Sequence, residues 1–156
     1  MFKRIILVLA CLGFTTCLPA FAEKENATAL EIRQMQTRTY EVANQKQLME
    51  GIVNVLQDRD YLINESNYNL GVVSGYRECK EKRFLGKQFV RYETSVQINQ
   101  QNNKSYKVRT NYIKKHMDAY GNPSTQKDIK VPEQEQFYRE FFSDLDKSLF
   151  IEKQGI

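Results

Sequence analysis

Residues 90–98 read VRYETSVQI, and their side chains alternate between two kinds along the whole stretch. One set is apolar or weakly polar and consists of Val90, Tyr92, Thr94, Val96 and Ile98. The residues between them are charged or polar. Because successive side chains of a β-strand point to opposite faces, this period of two predicts a strand with one buried and one solvated face. Such a strand is typical of an antiparallel sheet that is covered on one side.

Further strands are predicted on both sides of this stretch. The polar residues 99–104 predict a turn, and residues 106–112 alternate in the same way as 90–98. The two segments are therefore predicted to pair antiparallel. Upstream, residues 61–64 and 71–78 predict a hairpin, and residues 31–42 predict one more strand because β-branched residues and tyrosine favour the pleated conformation.

Charged and aromatic residues decide the remaining assignments. The charged segment 77–83, RECKEKR, is interpreted as a solvated loop that leads into a polar connection over 81–87. Residues 125–131 are predicted to form a short edge strand. One row of strand tyrosines, Tyr92, Tyr106 and Tyr112, is assigned to the core beneath a helix, and partner binding is its alternative role.

Two helices are predicted to cover the buried face of the sheet. The first follows Asn44, a favourable N-cap, and ends near residue 58. Its apolar face consists of Leu48, Ile52, Val55 and Leu56. Gly51 lies inside it at a cost of about 1 kcal/mol relative to Ala, which we attribute to the close approach of a strand. The second helix begins at Pro132 and places Phe137, Phe141, Leu145 and Leu149 at four-residue spacing.

Together these segments predict an α+β fold. We expect an antiparallel sheet of about five strands with two helices packed mainly on one face, as a two-layer sandwich. Residues 31–156 form this single domain, and the small polar residues 23–30 form a flexible tether before it. The formal net charge is +4, and two of those charges, Lys3 and Arg4, precede the domain. This balance does not indicate binding to nucleic acid.

The N-terminal 22 residues have the pattern of a secretory signal peptide. Lys3 and Arg4 are followed by the uncharged segment 5–18 and then by Pro19 and the small-x-small sequence that ends at Ala22. As a helix the uncharged segment spans about 21 Å, less than a hydrocarbon core of about 30 Å. We therefore expect cleavage between Ala22 and Glu23 and release of the chain into the periplasm.

Two cysteines in this leader leave an alternative open. Cleavage before Cys11 or Cys17 would produce an outer-membrane lipoprotein, although the residues before each cysteine fit a lipidation signal only in part. Contact with a membrane is expected only in this lipid-anchored form. After cleavage at Ala22, Cys79 is the one cysteine left, so the domain cannot form an internal disulfide.

Five short motifs of the chain carry a resemblance to a known family. The motifs are Gln36-Thr37-Arg38, Val55-Leu56-Gln57-Asp58, Leu70-Gly71-Val72-Val73, Phe137-Tyr138-Arg139-Glu140-Phe141-Phe142 and Lys147-Ser148-Leu149-Phe150-Ile151-Glu152. They resemble the Q-T-R strand, the L-Q-D helix end, the L-G hairpin and the C-terminal F-F…K-S-x-F-x-E helix of a family of small, uncharacterised proteobacterial envelope lipoproteins. In architecture alone the chain also resembles, more weakly, the helix-grip modules of outer-membrane-assembly lipoproteins. The resemblance implies a place in the cell envelope and supplies no reaction and no catalytic residues.

The sequence predicts no enzyme, no cofactor and no metal site. His116 is the one histidine of the chain, and we interpret it as a surface residue at a strand end. A thiolate pair of Cys79 with His116 lacks any flanking motif. Glu78, Glu81 and Glu93 are interpreted as charged strand and loop residues rather than as paired catalytic carboxylates.

Four polar residues within the family-like motifs are candidates for a partner-binding surface: Gln36, Arg38, Gln57 and Asp58. In the alternative, structural interpretation, Gln57 and Asp58 cap the first helix and Arg38 pairs with a carboxylate. We expect a non-enzymatic exported protein that binds an unknown envelope protein through a sheet edge or a helix face. The alternative is a carrier that holds a small lipid or peptide ligand between helices and sheet. The sequence leaves the oligomeric state open.

Overall fold

The computed structural model describes residues 28–83, 86–118, 120–127 and 129–154. In chain order the elements are α1 Ala29–Met35, β1 Thr37–Glu41, α2 Gln45–Asp58, β2 Leu62–Asn67, β3 Val72–Arg83, β4 Gly86–Gln100, β5 Ser105–Met117, β6 Pro123–Lys127 and α3 Val131–Gln154. The strands form one antiparallel sheet in the order β1-β5-β4-β3-β2, and β6 pairs with β5. The α+β prediction is confirmed.

The alternation along β4 and β5 decides which face of the sheet is buried. The five inward residues predicted on β4 are all buried, as are Tyr106, Val108, Thr110 and Tyr112 on β5. Within this face the hydroxyl oxygens of Thr94 and Thr110 lie 3.2 Å apart, and Thr94 also donates to the carbonyl oxygen of Asn111. These bonds satisfy two polar side chains within the apolar layer. The core assignment of the tyrosine row is therefore confirmed.

Helices α2 and α3 close over the buried face as predicted. Asn44 caps α2, because its side-chain oxygen accepts a hydrogen bond from the backbone N–H of Gln47 at 2.9 Å. The predicted apolar faces of both helices belong to one core with the inward strand residues. Phe137 of α3 stacks on Tyr112 of β5 with ring centroids 4.0 Å apart. No helix in the described part of the chain is long and apolar enough to cross a membrane.

Gly51 of α2 faces α3 and not a strand. A Cβ atom added at this position would lie 3.1 Å from the Cδ2 atom of Leu149 and 3.4 Å from the Cδ1 atom of Leu145. The prediction that a strand approaches here is therefore wrong. The glycine allows the two helices to pack closely against each other.

The segment predicted as a strand over 31–42 begins instead with helix α1. Thr28 accepts a hydrogen bond from the backbone of Glu31, and the Glu31 carboxylate accepts one from the backbone of Thr28 at 2.8 Å. This reciprocal capping box satisfies two N–H groups that a helix start otherwise leaves unpaired. The helix includes Ala29 and Leu30, which the sequence assigned to the tether. Thr28, its N-cap, is also a residue of the predicted tether. The earlier tether residues 23–27 and the leader, with Ala22, Glu23, Cys11 and Cys17, lie outside the described residues.

The charged segment 77–83 is a strand and not the predicted loop. β3 runs to Arg83 and β4 begins at Gly86, and the cross-strand pairing continues to Arg83↔Gly86. The predicted connection over 81–87 is therefore wrong as well. High charge favours exposure but not a loop, since both faces of a strand can carry charge where the core ends. At the other end of the chain, β6 begins at Pro123, and Val131, predicted as the end of that strand, starts α3.

Candidate functional site

Gln36, the first of the four candidate partner residues, is a buried structural residue. Its side-chain amide donates a hydrogen bond of 3.0 Å to the hydroxyl of Tyr138 on α3. Its backbone carbonyl accepts a hydrogen bond of 2.9 Å from the backbone N–H of Thr110 on β5. Gln36 therefore ties the end of α1 to both α3 and the sheet, and its side chain takes no part in a surface.

Arg38 pairs with a carboxylate, as the structural interpretation predicted. Its guanidinium lies 3.0 Å from Asp146 of α3 and sits 4.9 Å above the centre of the Phe142 ring. The guanidinium therefore makes a cation–π contact with the ring and an ion pair with the carboxylate, while the side chain stays partly in water. The side chain thus holds β1 against α3.

Gln57 and Asp58 are exposed at the end of α2. They line a groove of about 570 Å³ together with Arg59, Asp144 and Lys147. The carbonyl oxygen of Gln57, not its side chain, takes part in ending the helix, because it accepts from the backbone N–H of Asp60 at 2.9 Å. The capping role predicted for the two side chains is therefore not what ends α2.

Helix α3 separates the two halves of the predicted surface. Arg38 pairs with Asp146, whereas Arg59, which follows Gln57 and Asp58, pairs with Asp144 at 2.7 Å. Side chains two positions apart on an α-helix point about 200° apart around its axis. The four candidate residues therefore do not form one surface.

The Arg59–Asp144 pair makes part of the stability dependent on pH. Hydrogen bonds from Arg59 are the main cause that lowers the pKa of Asp144, burial opposes them, and Lys147 adds to the lowering. A carboxyl group whose pKa is lower in the folded state stabilises that state above its unfolded pKa of about 3.9. This contribution is lost as the pH falls through the lower, folded-state pKa.

We expect Asp144→Asn to lower the free energy of unfolding by about 1 kcal/mol at neutral pH, as is typical of a partly exposed ion pair. The variant and the unmodified protein should become equally stable in acid, because the wild-type carboxylate is then protonated too. Urea unfolding at a series of pH values measures this convergence. Asp58→Asn is the control, since Asp58 forms no salt bridge within the described residues. If the difference in free energy of unfolding between Asp144→Asn and the unmodified protein stayed constant with pH, the pH dependence assigned to the Arg59–Asp144 pair would be contradicted.

Cys79 and His116 lie in one row of the sheet but do not touch. Cys79 pairs with Val90 across β3 and β4, and Val90 pairs with His116 across β4 and β5. The two residues are therefore about 10 Å apart, twice the spacing between neighbouring strands. His116 is buried, so its assignment to the surface is wrong. Burial also raises the pKa of the Cys79 thiol, which disfavours the reactive thiolate.

The three glutamates considered as catalytic carboxylates each pair with a cation. Glu78 binds Arg91 and Glu93 binds Lys115 on the outer face, whereas Glu81 binds Lys114 on the inner face. Because each of these three carboxylates is held by a cation, the arrangement consists of structural ion pairs and leaves no pair of them for glycosidase-type acid–base chemistry. Within the described residues there is also no group of three His, Cys, Asp or Glu side chains placed to hold a metal ion.

A polar network that the sequence analysis missed joins the start of α3 to the sheet. The carboxylate of Glu81 accepts hydrogen bonds from the hydroxyl of Tyr92 and from Lys114, and Lys114 also lies 3.6 Å from Glu133 of α3. Burial alone would raise the pKa of Glu81, but these hydrogen bonds outweigh it and the pKa is lowered. Glu81 and Lys114 lie 33 residues apart in the chain, so no local sequence pattern indicates this network.

A sheet edge is the second feature that the sequence did not locate. β2 ends the path of the sheet, and within the described part of the chain its outer side has no partner strand. Leu62 at its start and Tyr68 just after its end are each more than half exposed. Beside the strand lies a groove of about 510 Å³, whose apolar lining is Met49, Val53 and Tyr68. The groove separates β2 from the exposed side of α2.

Comparisons with known proteins find only distant structural similarities to this chain. Neither protein-family profiles nor curated proteins match the chain. Three solved structures each align with 72% of it: a DUF4468 family protein from Bacteroides ovatus (10% identity, 84% of that chain, TM-score 0.42), a TBP-like protein from Parabacteroides distasonis (14%, 90%, 0.40) and the adenylate sensor of AMP-activated protein kinase in complex with ZMP (9%, 94%, 0.45). These similarities are too low to assign a function.

Proposed function

We propose that this is a non-enzymatic exported protein of the cell envelope that binds a segment of another envelope protein along β2. The single observation that carries the proposal is the open β2 edge with an apolar groove beside it. An edge strand presents backbone N–H and C=O groups that an extended peptide can pair with. The signal-like leader supports export, and the sequence resemblance supports a place in the envelope.

The residues of β2 leave this edge open to pairing. The strand reads LINESN and contains neither lysine nor proline, which natural edge strands commonly use to prevent association. The register between β2 and β3 shifts between Ile63 and Glu65, so a bulge bends the middle of the strand. We therefore expect a short added segment rather than a long flat strand.

The charges around the edge define the chemistry of the partner segment. Asp58, Asp60 and Glu65 lie along or just before β2, and no salt bridge compensates them within the described residues. Lys46 at the groove already pairs with Glu50. The occupant is therefore an extended segment with an apolar side chain for the groove and a basic side chain for this acidic border.

The alternative function, a carrier with a ligand between helices and sheet, finds less support. The space between the two layers is filled by fully buried side chains of both helices: Leu48, Ile52, Leu56, Phe141, Phe142 and Leu145. A ligand there would have to displace several of them. Close packing of this kind favours a binding site on the outside of the sandwich.

Photocrosslinking in intact cells tests the proposal. A benzophenone amino acid at position 62 should yield one discrete adduct in the periplasmic fraction, with a mass different from that of two copies of the chain. Glu65→Lys in the same protein should reduce this adduct several-fold, because it reverses the charge that faces the basic side chain. The same crosslinker at Tyr120, which is more exposed than Leu62, is the control.

Three results would overturn the proposed function. Adducts of equal yield at positions 62 and 120 would indicate nonspecific contact. An adduct of two copies of this chain would make β2 a self-association edge. If Glu65→Lys left the yield of the adduct unchanged, the acidic border would have no part in binding the partner.

A further inference from the structure

The β3–β4 hairpin extends beyond the rest of the sheet as a two-stranded ribbon. β2 pairs with β3 no further than Tyr76, and β5 pairs with β4 no further than Val90. The β3–β4 pairing continues from Lys80↔Phe89 to Arg83↔Gly86. These four pairs project about 13 Å past the neighbouring strands. Isolated two-stranded ribbons are at best marginally stable, so this projection is not explained by the core.

The outer face of this ribbon carries positive charge that nothing in the described residues neutralises. Lys80, Lys82 and Lys87 are exposed, and none of them forms a salt bridge in that part of the chain. The three carboxylates of the same hairpin are already engaged, Glu78 by Arg91, Glu81 by Lys114 and Glu93 by Lys115. The ribbon therefore presents lysines without carboxylates able to repel an anionic partner.

An exposed aromatic ring lies among these lysines. Phe89 pairs with Lys80 across the ribbon, is 49% exposed, and has the Lys80 ammonium 5.0 Å from its ring centre. Lysines beside an aromatic side chain are typical of surfaces that bind the interface of an anionic bilayer, where the ring enters the headgroup region and the ammonium groups meet phosphates.

We propose that the outer face of this ribbon, formed by Lys80, Lys82, Lys87 and Phe89, binds the surface of a bilayer that contains anionic phospholipids. A narrow ribbon with three lysines offers few phosphate contacts to a nucleic acid, and a polyanion in water gives Phe89 nothing to enter. A bilayer accommodates both the charges and the ring. The binding is reversible and independent of any lipid on Cys11 or Cys17, and it does not rest on the β2 proposal.

Vesicle flotation tests the proposal with the protein as the cell processes it. All variants share the same N-terminal segment, so its contribution cancels in the comparison. Each lysine near an anionic surface is worth about a fivefold change in partition. The triple variant Lys80→Gln, Lys82→Gln, Lys87→Gln should therefore bind vesicles of phosphatidylglycerol and phosphatidylcholine on the order of 100-fold more weakly. Binding should also fall in about 1 M salt, where the screening length is about 3 Å.

The chain offers a matched control for charge. Lys104, Lys107 and Arg109 are exposed at the opposite end of the sheet. Along β4, the positions that pair with Arg109 and Lys107 lie about 27–41 Å from Phe89 and Lys87. Their triple replacement by Gln removes the same charge and should change partition by only a few-fold. Circular dichroism of both variants verifies that each is folded. Phe89→Ser should weaken binding further, because the ring no longer enters the interface.

The same assay supplies the results that would overturn the proposal. If the two triple variants lost vesicle binding to the same extent, net charge and not the ribbon would control binding. Equal binding of the unmodified protein to pure phosphatidylcholine vesicles would exclude recognition of anionic lipid. Binding to heparin as tight as to the vesicles, and insensitive to Phe89→Ser, would make the ribbon a site for polyanions and not for a bilayer.

Discussion

Replacing Phe141 by Ala lowers the free energy of unfolding by about 3–5 kcal/mol, the cost of an emptied site for a phenylalanine in a closed core. The Phe141 side chain is completely buried. Its ring stacks on Phe137 at 6.1 Å between centroids and meets Phe142 edge to face at 5.2 Å. Phe137 in turn lies on Tyr112, so the ring row joins α3 to the sheet. The substitution therefore leaves a cavity and also weakens this row.

Phe150→Ala is the matched control for Phe141→Ala, since both residues lie on α3. Phe150 is 62% exposed, so its replacement should change the free energy of unfolding by no more than about 0.5 kcal/mol. Urea unfolding of both variants, with a check that the denaturant slope is unchanged, measures the difference. If Phe141→Ala and Phe150→Ala both lowered the free energy of unfolding by the same small amount, α3 would not be packed on the sheet.

The elements predicted well are those whose burial is one-sided. β4, β5, α2 and α3 each place apolar residues at the period of their own secondary structure, because one face of each meets the same core. For β4 and β5 the period is two, and for α3 it is the four-residue spacing from Phe137 to Leu149. A pattern of this kind is a direct consequence of the packing, so it can be found without the structure.

The elements predicted wrongly lack that one-sided pattern. α1 contains no buried residue, and its helical state follows from the Thr28–Glu31 capping box rather than from an apolar face. The ribbon of β3 and β4 has polar residues on both faces, and charge was interpreted as evidence for a loop. His116 is buried although it lies near the end of β5, and local sequence does not reveal which distant residues cover a strand end.

The sequence could not show which candidate partner residues lie inside the core and which lie on the surface, and the reason is a different one. Gln36 and Arg38 are close in the chain, yet Gln36 turns inward to Tyr138 while Arg38 reaches Asp146 at the surface. Both partners lie on α3, 102 and 108 residues later in the chain. Which side of a helix a distant residue meets depends on how the layers dock, and hydrophobic periodicity sets only which face is inward.

Gly71→Ala should lower the free energy of unfolding by more than about 2 kcal/mol, because two separate costs coincide at this position. Gly71 has a φ of +62°, in the left-handed region that costs other residues about 1–2 kcal/mol. A Cβ atom would also lie 2.5 Å from the carbonyl oxygen of Ile98. The backbone cannot move away easily, since the Gly71 carbonyl accepts a hydrogen bond of 2.7 Å from the Ile98 N–H.

Gly121→Ala separates the two costs. Gly121 also has a positive φ, +83°, but an added Cβ would meet no atom within 4 Å. Gly121→Ala should therefore lower the free energy of unfolding only by the cost of the left-handed conformation, about 1–2 kcal/mol. The excess measured for Gly71→Ala over Gly121→Ala in urea unfolding is the cost of the contact between the β2–β3 turn and β4. If the two losses were equal, the turn would be free to move away from Ile98, and the β2 edge would not be held in the position that partner binding requires.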